Sequence, residues 1–297
     1  MTRLLCATDL LPKSEMAIDR AGLLAEEIGA ELSLLHVVSP MDAERVLEQS
    51  LQIAIAKMRS RARPPLWRHG PTPEVAVRPG NPVRLICDTI EREQTDLLII
   101  GRHERRNVVD GVSGTIAEKV LSARKCPLLV VQRDADVSYR NVLLALDISS
   151  ESGLAVRAAE SLVLGSQSLA TVLHVYEPPL KGMVPSARQA TSAHEARHRA
   201  ALGIHELLSR ESADDTRYEV LVEEGHPIPA IVRAVERHRP QLLVMGTRAV
   251  SRMRRALLGS VASQLLKDLV GCDVLIVPRD SIRASLGADE LRPVSGA

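Results

Sequence analysis

Phenylalanine is absent from these 297 residues, and the remaining aromatic residues are one Trp and three Tyr. Stacking platforms for single-stranded nucleic acid therefore have almost nothing to be built from. An excess of positive charge is missing too. Lys and Arg number 38 against 37 Asp and Glu, a formal net charge of +1, which removes the electrostatic footprint of a dedicated DNA or RNA binder. No apolar run approaches bilayer length, and the opening "RLLCATDLL" is broken at Asp9, before a signal-peptide core would be complete. Cysteine is scarce. Cys6, Cys87, Cys126 and Cys272 form no C-x-x-C pair, and each lies in or beside an apolar stretch, so buried thiols in a reducing cytoplasm are expected.

The apolar residues that are present, 45% of the chain, are almost all Leu, Val, Ile and Ala, enough for two aliphatic cores. They also say the same thing twice. "RLLCATDLLPKSEMAIDRAGLLA" (3–25) aligns with "NVLLALDISSESGLAVRAAESLV" (141–163), setting Asp9 over Asp147. "LSLLHVV" (32–38) aligns with "LATVLHVY" (169–176), setting His36 over His174 and Val37 over Val175. "VRPGNPVRLICDTI" matches "VEEGHPIPAIVRAV", "TDLLIIGRH" matches "PQLLVMGTR", and "CPLLVVQR" matches "CDVLIVPR". The expectation is a duplicated domain, residues 1–135 and 139–280, followed by a peripheral tail over 281–297.

Within the first copy, short apolar runs at 3–8, 31–37, 73–78, 97–101 and 127–132 read as strands buried on both faces. Between them, residues 12–29 carry apolar positions at helical spacing and stop at Gly29, while Asn81 and Pro82 open a second helix. Strand and helix in alternation imply right-handed crossovers onto a parallel sheet. The fold class is thus α/β, two tandem copies of a five-stranded, parallel, doubly wound, Rossmann-like domain.

Such sheets bind ligands beyond the carboxyl ends of their strands, at the point where strand order reverses. The residues standing there are Asp9, Val37 and Gly101 in copy one, and Asp147, Val175, Met245 and Gly246 in copy two. The loop after each fourth strand, "GRHERRNVVDGVSGT" or "GTRAVSRMRRALLGS", ends in Gly114 and Thr115 or in Gly259 and Ser260, with Val261 following in copy two. Backbone N–H groups at a helix start, a hydroxyl and a glycine make a phosphate seat. An ordinary turn built on the same glycines is the alternative. For the two aspartates the alternative is a turn or helix-cap role, and His36 and His174 are expected to be satisfied core histidines.

With strand-one Asp, "LHV" and glycines so spaced, the chain resembles the universal stress protein family in its tandem form, over residues 3–133 and 140–279. The resemblance implies the sheet architecture shared with adenine nucleotide alpha hydrolases, and an adenine-nucleotide ligand, ATP with Mg²⁺, in a cytoplasmic stress-response regulator that is not a turnover enzyme. It implies that Asp9 and Asp147 contact the nucleoside, that Val37 and Val175 meet adenine through their backbone, and that Gly114–Thr115 and Gly259–Ser260 hold phosphate. The family's second motif glycine is replaced in both copies, by Glu104 and by Ala249. A side chain there costs about 1–2 kcal/mol if φ must be positive. Arg248, Arg252, Arg254 and Arg255 surround the second seat without an acid, so copy two is expected to carry the binding. The rival expectation is a scaffold whose sites have both decayed. The resemblance also implies that the last strands of the two copies pair, and that chains form a homodimer through such strands.

One motif points elsewhere. "HEARH" (194–198) fits the H-E-x-x-H pattern of zinc proteases. A third protein ligand is needed, and His205 lies about 10 Å further along the same helix. The extended zinc-protease pattern would want glycine and histidine where Ala201 and Ile204 stand. A solvated helix margin is the expectation, and no metal ligand is assigned.

Overall fold

The computed structural model describes residues 1–38, 44–61, 70, 72–102, 115–123, 126–135, 137–165, 167–176, 186–247, 260–268 and 271–279. Copy one runs β1 (Arg3–Thr8), α1 (Pro12–Ile28), β2 (Glu31–Val38), α2 (Glu44–Arg61), β3 (Glu74–Pro79), α3 (Pro82–Glu93), β4 (Leu97–Gly101), α4 (Ile116–Ala123) and β5 (Leu128–Val131). Copy two repeats the order with β6 (Asn141–Ala145), α5 (Ser150–Leu162), β7 (Leu169–Tyr176), α6 (Ser186–Glu211), β8 (Tyr218–Glu224), α7 (Pro227–His238), β9 (Leu242–Thr247), α8 (Ser260–Asp268) and β10 (Asp273–Pro278). The five strands read from the first copy's apolar runs fall where expected. So do the stop of α1 at Gly29, which is left-handed (φ 64°), and the start of α3, where the Asn81 side chain accepts the Arg84 N–H.

All ten strands form one sheet in the order β3-β2-β1-β4-β5-β10-β9-β6-β7-β8. Neighbours within each copy are parallel, and β5 meets β10 antiparallel, with Leu129 opposite Leu275. Helices α1, α2, α5 and α6 bury Ile18, Met58, Ala159 and Ile204 on one face of the sheet. Helices α3, α4, α7 and α8 bury Ile90, Leu121, Ala234 and Leu265 on the other. Each of the two cores runs across both copies, so the halves share their apolar interior. The all-aliphatic composition suffices because every central strand is covered twice.

The last-strand pairing is therefore met inside one chain. In this arrangement β5 lies between β4 and β10, and β10 between β5 and β9, so each last strand is paired on both sides within the chain. The sheet ends instead in β3 and β8. The tail 281–297 lies outside the described residues. Among the described residues no helix is long and apolar enough to cross a membrane.

Candidate nucleotide crevices

In each copy the first strand lies between the second and the fourth, so strand order reverses beside it. The loops that leave β1 and β6 hold the two aspartates. Asp9 Oδ1 accepts the Leu11 N–H at 3.0 Å and the Ser14 hydroxyl at 2.5 Å. Asp147 Oδ1 accepts the hydroxyls of Ser149 and, at 2.7 Å, Ser152, whose Oγ in turn accepts the Asp147 N–H at 2.9 Å. In both copies a serine five residues beyond the aspartate thus orients its carboxylate. Ser14 and Ser152 are missing from the candidates drawn from sequence, although "DLLPKS" and "DISSES" carry them in register. The helix cap of α5 is Ser149, which accepts the Ser152 N–H, and not Asp147.

Val37 and Val175 stand at the ends of β2 and β7. The N–H of Gly80 reaches the Val38 carbonyl, and that of Gly225 reaches the Tyr176 carbonyl. Backbone groups of successive residues in a parallel ladder alternate between neighbours, so those of Val37 and Val175 face the first-strand side, where β1 and β6 stop. His36 and His174 bind through Nδ1 to the carbonyls of Thr8, at 2.8 Å, and Leu146, at 2.9 Å. A carbonyl only accepts, so Nδ1 carries the proton in both rings. These histidines tie down the ends of the first strands, as expected of satisfied core residues.

The fourth strands bring in Gly101, Met245 and Gly246. Met245 is buried beside Ile276. At Gly246 a Cβ would lie 2.8 Å from the Glu151 carbonyl oxygen, so the missing side chain is what lets α5 close over β9. The Glu151 carboxylate is itself buried at this edge, receiving the Ser150 hydroxyl at 3.0 Å and facing Arg279 at 3.3 Å. In copy one, Arg102 beyond β4 donates to the Gln132 side chain at 2.8 Å.

At the start of α4, Thr115 and Glu118 form a capping box. Glu118 Oε2 accepts the Thr115 N–H at 2.8 Å, and the Thr115 hydroxyl accepts the Glu118 N–H at 3.3 Å. The matching residue of α8 is Ser263, which instead donates its hydroxyl to Glu118 Oε1 at 3.0 Å across the junction of the copies. Ser260 opens α8 and Val261 is half-buried in its first turn. Gly114, Gly259, Arg248, Glu104, Ala249 and the arginines at 252, 254 and 255 lie outside the described residues.

The two aspartate loops differ in shape. Leu10 takes φ 60° and tucks its side chain into the core, 7% exposed, with its carbonyl held by the Lys57 ammonium at 2.6 Å. Its counterpart Ile148 lies outward, 54% exposed, over Gly203 of α6. On that same helix His194 and His198 are exposed, while Ala200, Ile204, Leu207 and Leu208 are buried, the arrangement expected of a solvated margin. Among the described residues no three His, Cys, Asp or Glu side chains gather closely enough to hold a metal ion.

The model of the universal stress protein family matches residues 1–132 and again 138–278, and the chain belongs to that family. A universal stress protein of Thermus aquaticus, from the region 3' of its QAH/OAS sulfhydrylase, is 29% identical over 143 residues, which is 47% of this chain and 98% of that protein. Among solved structures, a functionally unknown protein of Pseudomonas aeruginosa superposes with a TM-score of 0.66 at 19% identity, covering 96% of this chain and 95% of its own. A universal stress protein of Archaeoglobus fulgidus gives 0.61 at 19% identity, covering 93% of this chain and 98% of its own. Both share the fold over nearly the whole length.

Proposed function

We propose that the chain is a non-enzymatic, cytoplasmic regulatory module whose copies, 1–135 and 139–280, form one body that binds an adenine nucleotide, ATP with Mg²⁺, mainly in copy two. The observation that carries the asymmetry is the Glu118 carboxylate. It already sits on the Thr115 N–H that copy one would offer to phosphate, whereas the residue of α8 that matches Glu118 is Ser263. A bound carboxylate competes with a phosphate for the same donor and repels it. Copy two also has its aspartate oriented by two serine hydroxyls, where Asp9 has one, and shares with copy one a valine backbone facing the crevice. Asp147 would meet the ribose hydroxyls, Val175 the adenine edge, and Ser260 with the neighbouring Gly259 and Arg248 the phosphates, whose charge the Mg²⁺ would share.

The scaffold reading keeps one specific support: Glu104 and Ala249 stand where the family pattern has glycine. Calorimetric titration of the full chain with Mg-ATP separates the two. The nucleotide reading expects one site per chain, lost in Gly259→Val/Ser260→Ala and retained in Gly114→Val. No heat at millimolar nucleotide gives the scaffold reading, and equal losses from both substitutions remove the asymmetry.

A further inference from the structure

The junction of the copies holds a buried charged cluster that no nucleotide site uses. Asp273, at the start of β10, is fully buried; Arg20 of α1 is 2% exposed and Tyr139, ahead of β6, 1%. Asp273 Oδ1 accepts the N–H groups of Gln132, at 2.7 Å, and Arg133, at 3.1 Å, just past β5. Its Oδ2 accepts the Tyr139 hydroxyl at 2.5 Å and faces Arg20 Nε at 3.6 Å. The Arg20 guanidinium lies 4.1 Å from the centre of the Tyr139 ring and donates to the Val137 carbonyl at 2.7 Å. The carboxylate thus ties together a helix and a strand end of copy one, the connection between the copies, and the last strand of copy two.

The cluster is one-sided, as is the Ser263–Glu118 contact, whereas the apolar ladder of the junction is symmetric. Leu129 and Leu275, opposite each other in the β5/β10 ladder, are equivalent positions of the repeat, as are Cys126 and Cys272. The same ladder is therefore open, on apolar grounds, to two β5 strands or two β10 strands from different chains. The polar residues are not repeated. Ala158 stands at the position equivalent to Arg20, Pro127 at that of Asp273 and Pro278 at that of Gln132. Two copies of the first kind would bury each Arg20 against Pro127 with no carboxylate. Two of the second kind would leave Asp273 facing Ala158, and would put Pro278, which has no N–H, where Gln132 now donates. An unpaired buried charge is strongly unfavourable, whereas a buried pair itself adds little over apolar packing.

We infer that the Arg20–Asp273 pair is a pairing code: it commits the last strand of copy one to the last strand of copy two and excludes like-with-like pairing between chains. The β5/β10 surface is then a closed intramolecular interface whose occupant is the chain's own other half.

A cysteine at 129 reads this directly, since two β5 strands paired in the native register would set residue 129 of one chain opposite residue 129 of another, within disulfide reach. Leu129→Cys is placed in the full chain with the native pair and in Arg20→Met/Asp273→Asn, which exchanges the charges for groups of similar shape. Both are unfolded, refolded at high protein concentration, oxidised and mapped by mass spectrometry, with chains lacking the added cysteine as controls. The 129–129 link is expected only where the pair has been removed, with the circular dichroism of the folded chain retained. Equal linkage in both chains, or none in either, overturns the inference. Should the double variant fail to refold, Asp273→Asn alone, which keeps an acceptor for both N–H groups, is read by the same two outcomes.

Discussion

The Lys57 ammonium reaches the Leu10 carbonyl at 2.6 Å, and the residue that stands in its place in copy two is Gly203. Ala54 and Met58 on α2 match the buried Ala200 and Ile204 on α6, which fixes that correspondence. Leu10 pays for its inward turn with a left-handed backbone, a conformation that disfavours a side chain by about 1–2 kcal/mol. Lys57→Met keeps the aliphatic stem and removes the donor. The expected result is a loss of about 1 kcal/mol in urea unfolding, with an unchanged slope. An unchanged midpoint would mean that the core contacts of Leu10 alone hold the turn.

Two glycines give opposite expectations when each is replaced by alanine. At Gly203 the added Cβ would meet the tip of Ile148 at 2.7 Å, the end of an exposed and flexible side chain that can swing into solvent. Alanine is also better than glycine inside a helix by about 1 kcal/mol, so Gly203→Ala should raise the melting temperature. At Gly246 the obstacle is the Glu151 carbonyl, a backbone atom in the first turn of α5 that cannot rotate aside. Gly246→Ala should cost about 1–3 kcal/mol by overpacking and should weaken nucleotide binding by moving the Asp147 loop. Differential scanning calorimetry of the two variants checks both signs. A stabilised Gly246→Ala would show that the helix start gives way.

Much of this fold was legible because the strands are covered on both faces and so appear as unbroken apolar runs, which register neither a partner nor a direction. That is why the pairing of "CPLLVVQ" with "CDVLIVP" rests on the family resemblance and not on the apolar runs themselves. The aspartates, the valines and the histidines were legible as a set, since each stands near or just past the end of a strand that could be located. Ser14 and Ser152 were hidden among ordinary helix-start residues, because their role depends on a hydrogen bond back to the loop. The Arg20–Asp273 pair was illegible in principle: each residue sits alone in an amphipathic or apolar segment, and only the antiparallel junction brings them together.

Thiol reactivity offers a third check. Burial pushes the Cys6 thiol far up and that of Cys272 up to about 12, and Cys126 is also buried, whereas Cys87 on α3 is half-buried. The thiolate is the reacting species. At pH 8, iodoacetamide should therefore modify Cys87 first, the other three reacting only as the chain unfolds. Rapid modification of Cys6 or Cys272 in the folded chain, read by peptide mapping, would contradict the burial on which this rests.

The same burial sets how stability changes in alkali. Cys6 and Tyr139 are fully enclosed, and desolvation raises both above their ordinary values of 9.0 and 10.0, with the Asp273 carboxylate beside Tyr139 adding to its rise. A folded state that holds its protons more tightly than the unfolded chain is at full advantage below those ordinary values, and loses ground as pH climbs through the raised ones. Each such group steepens the decline by up to about 1.4 kcal/mol per pH unit once its unfolded form has ionised. Stability from urea unfolding should accordingly fall between about pH 9 and 11, with the steepest part above 10. Tyr139→Phe removes one titrating proton together with the hydroxyl that Asp273 accepts. It should be less stable than the native chain at neutral pH yet show a shallower alkaline decline, and identical slopes for the two chains would mean that Tyr139 ionises as readily folded as unfolded.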